Sequence, residues 1–311
     1  MDARKHEHSS RFKQREATRI VSLLCAAGLL AGCGRGGASP QSIAFDGDRA
    51  LQLVDVQMSF GARYPDSPGH AAVQLWIEEG LVDAGWETER QDFAFEGVPL
   101  RNVVGRLESA SGPLVILGAH YDTRPRADRD SIDPTAPVPG ADDGASGVAV
   151  LLELARGLAI ARPACDVRLA FFDAEDSGNI GEWDWSLGAR HFAGVLDTDP
   201  QAVVIVDMVG DRDLRLPRES NSTASLVDSI WSAAQQMGNE AFVDEAGSSI
   251  TDDHIPFLER GWPAVDIIDI QYPYWHTTQD TADKLSADSL EQVGSTLAAW
   301  LSSFCVQPAD G

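Results

Sequence analysis

Positive charge is scarce in this chain. Lys and Arg number 24 against 48 Asp and Glu, a formal net charge of −24 over 311 residues. A surface of that sign repels phosphate backbones, which excludes nucleic acid as a partner. No block of like charges marks an acidic tail. The apolar run Ile20 to Ala31 is too short to cross a bilayer, so a multi-span membrane protein is excluded. No repeat or low-complexity tract follows residue 41, and 43% hydrophobic with 23% charged residues is the composition of a globular chain rather than a disordered one. Two common hydrolase signatures are also missing. There is no His-Glu-x-x-His helix, and Gly144-Ala145-Ser146-Gly147 lacks the glycine spacing of a nucleophile elbow. Cysteine is sparse: beyond the first forty residues only Cys165 and Cys305 remain, free either to form one disulfide or to stay as two buried thiols.

The little positive charge present is concentrated at the start. Residues 1–32 carry Arg4, Lys5, Arg11, Lys13, Arg15 and Arg19 against Asp2, Glu7 and Glu16, and an apolar run follows. That order is the pattern of a secretory signal. Leu30-Ala31-Gly32-Cys33 resembles the bacterial lipobox, which implies that Cys33 becomes the lipidated first residue. Gly34 to Pro40 then reads as a flexible tether. The expected layout is a lipoprotein signal peptide at 1–32, a tether at 33–40 and a single catalytic domain at 41–308. The expected location is the cell envelope of a bacterium, reached by export and held to the membrane through the lipid alone.

In the body, helices are expected at 49–61, 68–84, 145–160, 188–195, 223–237 and 287–303. The second opens with Ser67 as N-cap and Pro68 at the first helical position. Strands are expected at 88–95, 101–108, 114–119, 166–172, 202–206 and 263–268. Alternation of strands and helices predicts an α/β three-layer sandwich, and the early run of strands predicts a mixed, mostly parallel sheet.

Metal-ligand residue types recur where the apolar strands end, the place where open α/β sheets gather their chemistry. His120 and Asp122 follow Leu114–Ala119; Asp142 and Asp143 sit in a glycine-bracketed loop; Asp173, Glu175 and Asp176 follow Phe172. Asp207 closes Val203–Val206, and Trp275-His276 follows the last strand. Any one of these is ordinary turn chemistry. Burying several carboxylates together is costly unless a cation neutralises them. His and carboxylate ligands without Cys suit catalytic zinc.

In order, the segments GAHYD, GADDGASG, DAED, Asp207 and WHTTQDT resemble the zinc-dependent aminopeptidase and glutaminyl cyclase superfamily over most of residues 50–305. The resemblance implies zinc held by Asp142, Asp176 and His276, with His120 and Asp207 completing a second position bridged by Asp142, so one zinc or two. It implies Glu175 as general acid/base, and Asp122 as the group orienting His120. In the cyclase branch an N-terminal Gln closes onto its own α-amine and ammonia leaves, with Glu175 moving the proton. In the aminopeptidase branch Glu175 takes a proton from water for attack on the first peptide bond. Both act on peptide or protein N-termini. Trp275 beside His276 and the segment Asp252 to Phe257 favour the cyclase. There Asp253 would join Glu175 and Asp207 in a carboxylate network, and Trp183, Trp185, Tyr272 and Trp275 would wall the pocket. A third reading is a peptide-binding module that has lost the chemistry.

Overall fold

The structure is a computed structural model that describes residues 42–109 and 112–306. The expected leader 1–32, the lipidation site Cys33 and the tether 33–40 lie outside the described residues. The chain enters through two helices, α1 (Gly47–Ser59) and α2 (Pro68–Asp83). Asp46 caps the first by accepting the N–H of Arg49, and Ser67 caps the second by accepting that of His70. Strands β1 (Glu87–Phe95) and β2 (Val98–Leu107) follow as an antiparallel hairpin. Its two turn residues, Glu96 and Gly97, both take positive φ, as the twist of a two-residue hairpin requires.

Then come β3 (Leu114–His120), α3 (Ala145–Ala161), β4 (Asp166–Phe172), α4 (Leu187–Val195) and β5 (Ala202–Asp207). The remainder is β6 (Leu216–Arg218), α5 (Ala224–Met237), β7 (Phe242–Ala246), α6 (Ile255–Leu258), β8 (Ala264–Ile268) and α7 (Ala287–Phe304). The main sheet has the order β1-β2-β4-β3-β5-β8. Its first two pairings are antiparallel and the other three parallel, so the mixed sheet expected from the sequence is present. The separate two-stranded sheet β6–β7 and the one-turn helix α6 were not expected. Three residues, or a strand reading Phe-Val-Asp-Glu-Ala with its acids exposed, carry no apolar period to detect.

Side-chain alternation divides the sheet into two faces. Val115, Leu117, Val167, Leu169, Val204, Val206 and Val265 face one core, with α1, α2, α3, α5 and α7 packed over it. Ile116, Ala170, Phe172, Val203 and Ile205 face a smaller one, covered by Phe192 of α4 and Phe257 of α6. These are the three layers. Because both faces are covered, the central strands are mostly apolar, with Arg168 in β4 and the buried Asp266 in β8 as polar exceptions, and most of the buried polar groups gather at the strand ends.

Cys165 and Cys305 are joined in a disulfide, which resolves the alternative left open by the sequence. It ties the start of β4 to the C-cap of α7 across 140 residues of chain. Closing so long a loop restricts the unfolded state, so replacing both cysteines by Ala is expected to lower stability by about 2–5 kcal/mol. Denaturant unfolding of the variant checks this. An unchanged midpoint would mean the bond contributes nothing.

Candidate metal centre and catalytic cleft

Parallel pairing of β3, β4, β5 and β8 brings their carboxyl ends to one edge of the sheet. His120 is the last residue of β3 and Asp207 the last of β5. Beyond β4 the chain must turn sharply, and Ala174 does so at φ 55°. Met208, next to Asp207, and His276 itself also hold positive φ, at 44° and 59°. Three non-glycine residues in this sparsely populated region, all at one site, are held there by the structure around them.

The acidic loop before α3 departs from the expectation. Asp142 was to be the ligand that links both positions, but Asp143 stands there instead. Its Oδ1 lies 3.3 Å from Nε2 of His120 and its Oδ2 3.6 Å from Nε2 of His276. Asp142 points the other way, and its Oδ1 accepts the N–H of Gly210 at 2.7 Å. Neighbouring residues in a tight turn send their side chains in different directions. This turn is fixed by Gly144 at φ 98°, where a Cβ would sit 2.4 Å from the carbonyl oxygen of Asp122.

Among the described residues three buried groups have ligand-like spacing: His120–Asp143–Asp207 and Asp143–Asp176–His276, which share Asp143, and a separate one, Asp252–His254–Asp266. His120 Nε2 is 3.0 Å from Asp207, and His276 Nε2 is 3.1 Å from Asp176. Asp143 Oδ2 and Asp176 Oδ2 are buried without a hydrogen-bond partner. Orphaned carboxylate oxygens aimed between imidazole nitrogens fit a divalent cation, which would satisfy both at once. Without one, burial and then the neighbouring Asp143 push Asp176 up to about 6, and burial pushes Asp207 up to about 7. Burial would lower His120 and His276, but the facing Asp207 and Asp176 raise them above the usual imidazole range.

Glu175 lies beside these groups, and burial followed by repulsion from Asp252 raises its carboxyl well above the usual range. Asp252 lines the cleft next to it, and the buried Asp253, expected in a carboxylate network with Glu175 and Asp207, is near enough to add to the repulsion on Glu175. Asp253 is fully buried with neither oxygen hydrogen-bonded.

A supporting layer fixes the loops. Asp122 accepts the backbone N–H groups of Glu175 and Asp176 at 3.0 and 3.2 Å, and lies 3.6 Å from Nδ1 of His120. Asp280, within the WHTTQDT segment but not singled out there, accepts the N–H groups of Asp142 and Asp143 and the hydroxyl of Tyr272. Tyr272 thus braces the acidic loop and is buried, not part of the pocket wall expected of it. Fully buried Arg63 donates to the carbonyls of Tyr121, Pro139 and Gly140, closing the same loop from behind. Glu219 accepts the N–H groups of Asn221, Ser222 and Ile250 and lies 3.4 Å from His254. Despite the opposing effect of burial, those bonds hold its carboxyl down to about 2, and they fix the loop that supplies Ile250 and Asp252.

The cleft above the acids has a volume of about 260 Å³. Trp185 and Trp275 are the aromatic walls, with Met208, Ile250, Ile268 and Ile270 adding apolar surface. Trp185 lies parallel to the His276 ring, 6.3 Å between centroids, and Trp275 is 4.3 Å from it. Trp183 is elsewhere. It packs edge-on against Phe95 at 5.2 Å, in a cluster with Leu100 and Leu187. Both tryptophans lie in a loop, where no period tells inward from outward. His191 stacks on Phe93, and His70 bonds Asp173 at 2.7 Å; both stand outside the cleft lining.

A parallel-ended sheet carrying two buried His/carboxylate groups and an adjacent Glu defines a metallopeptidase-like site. Residues 102–301 match Peptidase family M28, and the chain belongs to that family. Among solved structures it is similar to the glutaminyl cyclase of Tannerella forsythia, at 32% identity and TM-score 0.78, covering 83% of this chain and 99% of that one. It is similar to the same degree to a leucine aminopeptidase precursor from Bacteroides thetaiotaomicron, at 31% identity and TM-score 0.79, covering 85% and 99%. A glutaminyl-peptide cyclotransferase-like protein of Bos taurus is 28% identical, over 78% of this chain and 72% of its own length.

Proposed function

We propose that the chain is a zinc-dependent glutaminyl-peptide cyclotransferase that converts N-terminal Gln to pyroglutamate. The observation that carries this reading is the cleft: small, walled by Trp185 and Trp275, and with no Lys or Arg among the described residues that line it. The tryptophan walls suit a flat, uncharged carboxamide above the acids Asp143, Glu175, Asp176, Asp207 and Asp252 that also line the cleft, and close walls favour the conformer in which the side chain folds back on its own amine. Zinc would be held by Asp143, Asp176 and His276, with His120, Asp143 and Asp207 as a second position, and when bound it supplies Lewis-acid polarisation of the substrate carbonyl. Glu175 takes a proton from the α-amine and delivers it to the departing nitrogen. The new bond joins the amine nitrogen to the γ-carboxamide carbon, the C–N bond of the amide breaks, and ammonia leaves. Burial, followed by repulsion from Asp252, makes the Glu175 carboxyl a stronger proton acceptor than an ordinary carboxylate, which suits it to take up the proton it then delivers.

The second reading, an aminopeptidase, is favoured by the complete group at His120, Asp143 and Asp207. In it Glu175 takes a proton from the attacking water. One experiment separates the two: zinc-loaded protein with matched peptides beginning in Gln and in Leu, read by mass spectrometry. Loss of ammonia from the Gln peptide alone supports the cyclase. Release of the first residue makes the enzyme an aminopeptidase, and no change in either peptide removes both readings. Export and anchoring through Cys33 belong to the same proposal. The basic-then-apolar leader supports them, as does the disulfide, a bond at home in oxidising compartments.

The charge arrangement also predicts a pH dependence. Asp176 and Asp207 rise to about 6 and about 7, and burial followed by Asp143 takes Asp280 up to about 7. Between about pH 4 and about pH 7 the zinc-free folded chain therefore holds more protons than the unfolded one, so its stability falls as pH rises. His120 and His276 act in the same sense, because stabilisation from a raised imidazole is lost as pH climbs through its folded value. A bound cation replaces those protons. Unfolding midpoints with zinc and with chelator are expected to diverge from about pH 5 to about pH 8. Convergence over that range would contradict the zinc assignment.

A further inference from the structure

The loop between β3 and α3 carries a carboxylate that the proposed chemistry does not use. Asp128 has a side chain 39% exposed, yet it faces a metal-competent histidine. Arg124 donates to it through two nitrogens, Nε to Oδ1 at 2.8 Å and Nη2 to Oδ2 at 2.6 Å. The same Oδ1 lies 3.4 Å from Nδ1 of His276. The remaining guanidinium nitrogen of Arg124 donates to the carbonyl oxygen of Asp176 at 3.1 Å, to its Oδ1 at 3.3 Å and to the carbonyl of Gly178 at 3.2 Å. One ion pair thus touches both His276 and Asp176.

The loop grips the His276 segment in two further places. The N–H of Arg129 donates to the carbonyl of His276 at 3.2 Å, and Asp130 accepts the N–H of Thr278 at 2.9 Å. This matters because His276 holds a left-handed backbone, which persists only where its surroundings over-determine it. Arg124 also lies over the Trp185 ring, 5.2 Å from its centroid. Trp185 in turn lies parallel to His276 and packs against Gly178, where a Cβ would come within 2.1 Å of the indole.

We infer that Arg124 and Asp128 are positioning residues, a clamp that sets the zinc affinity of the Asp143–Asp176–His276 position and fixes the Trp185 wall beside it. The inference rests on the zinc reading above. A carboxylate at Nδ1 leaves Nε2 as the ligand nitrogen, fixes the plane of the ring and raises its basicity. Arg124 holds that carboxylate in a two-point grip and screens its repulsion from Asp176, which lets two acids share one histidine.

The test is zinc affinity of the full-length protein, measured by competition with a chelator of known affinity. Asp128→Asn, Arg124→Lys and His276→Ala are compared with the unaltered protein. Asp128→Asn is nearly isosteric and its side chain is partly exposed, and the zinc-free unfolding midpoint reports whether each variant folds. Asp128→Asn and Arg124→Lys are expected to weaken the tightest zinc by about 10–100-fold, and His276→Ala to abolish it. If His276→Ala abolishes it while folded Asp128→Asn and Arg124→Lys stay within about twofold of the unaltered protein, the clamp is overturned and the pair is a surface ion pair. If His276→Ala keeps the tightest zinc, the metal position itself is misassigned, and the clamp falls with it.

Discussion

Glu175→Gln is expected to lower kcat/KM on an N-terminal Gln peptide by about 10²–10⁴-fold while zinc remains bound. The side chain keeps its shape and loses only the ability to carry a proton. Its backbone is held independently, because the N–H of residue 175 donates to Asp122 whatever the side chain is. A second consequence separates catalysis from folding. Glu175 is buried next to Asp252, Asp253 and Asp176, so a neutral amide there removes repulsion. The zinc-free variant is therefore expected to unfold at a higher temperature than the unaltered protein, even as turnover collapses. Activity within about tenfold of the original would show that another group carries the proton. Asp252, already in the cleft lining, would be examined next.

Asp143→Ala is expected to have the largest effect on metal. Among the described residues it alone faces both histidines, so its loss damages both positions together. Zinc affinity should fall by more than the roughly 10–100-fold that groups behind the ligands are worth, and activity should fall with it. Asp142→Ala is the informative partner. It removes the acceptor of the Gly210 N–H, so it should cost about 1–3 kcal/mol of stability. Zinc should nevertheless still bind. Metal analysis beside a denaturation curve reads both quantities. Loss of zinc in Asp142→Ala with retention in Asp143→Ala would restore the assignment first suggested by the sequence and reject the geometry.

Much of the fold was legible from local chemistry. Ser67-Pro68 marked the start of α2 to the residue, because a capping hydroxyl and a fixed φ act within a single turn. The largely apolar run Asp166–Phe172 gave β4 at both ends, because a strand covered on both faces is mostly apolar along its length. α5 and β5, expected at 223–237 and 202–206, lie within one residue of those bounds, at Ala224–Met237 and Ala202–Asp207. What escaped was short or polar. β6 and β7 lack a period, and Asp280 and Arg63 act through backbone groups distant in sequence.

The site divides along the same line. Residue types at strand ends are a property of the sequence, since a sheet with two covered faces leaves carboxylates and histidines few other places, Asp266 within β8 being one. That much identified His120, Glu175, Asp176, Asp207 and His276 as one group, and the structure brings them together. Which of two adjacent aspartates faces the cleft is a different kind of question. Asp142 and Asp143 are chemically identical, as are Asp252 and Asp253, and spacing along the chain cannot rank them. A rotation of one residue in the backbone reverses the side chain, and that rotation is set by contacts far away in sequence. At the first pair these are the left-handed Gly144 against the Asp122 carbonyl, and Asp280 gripping two N–H groups. Trp183 and Trp185 differ for the same reason, one packed on Phe95 and the other against Gly178. The sequence by itself determined the elements, the sheet and the chemistry at its edge. Only tertiary structure decided the direction of each side chain there, because in loops direction follows from long-range hydrogen bonds and close packing.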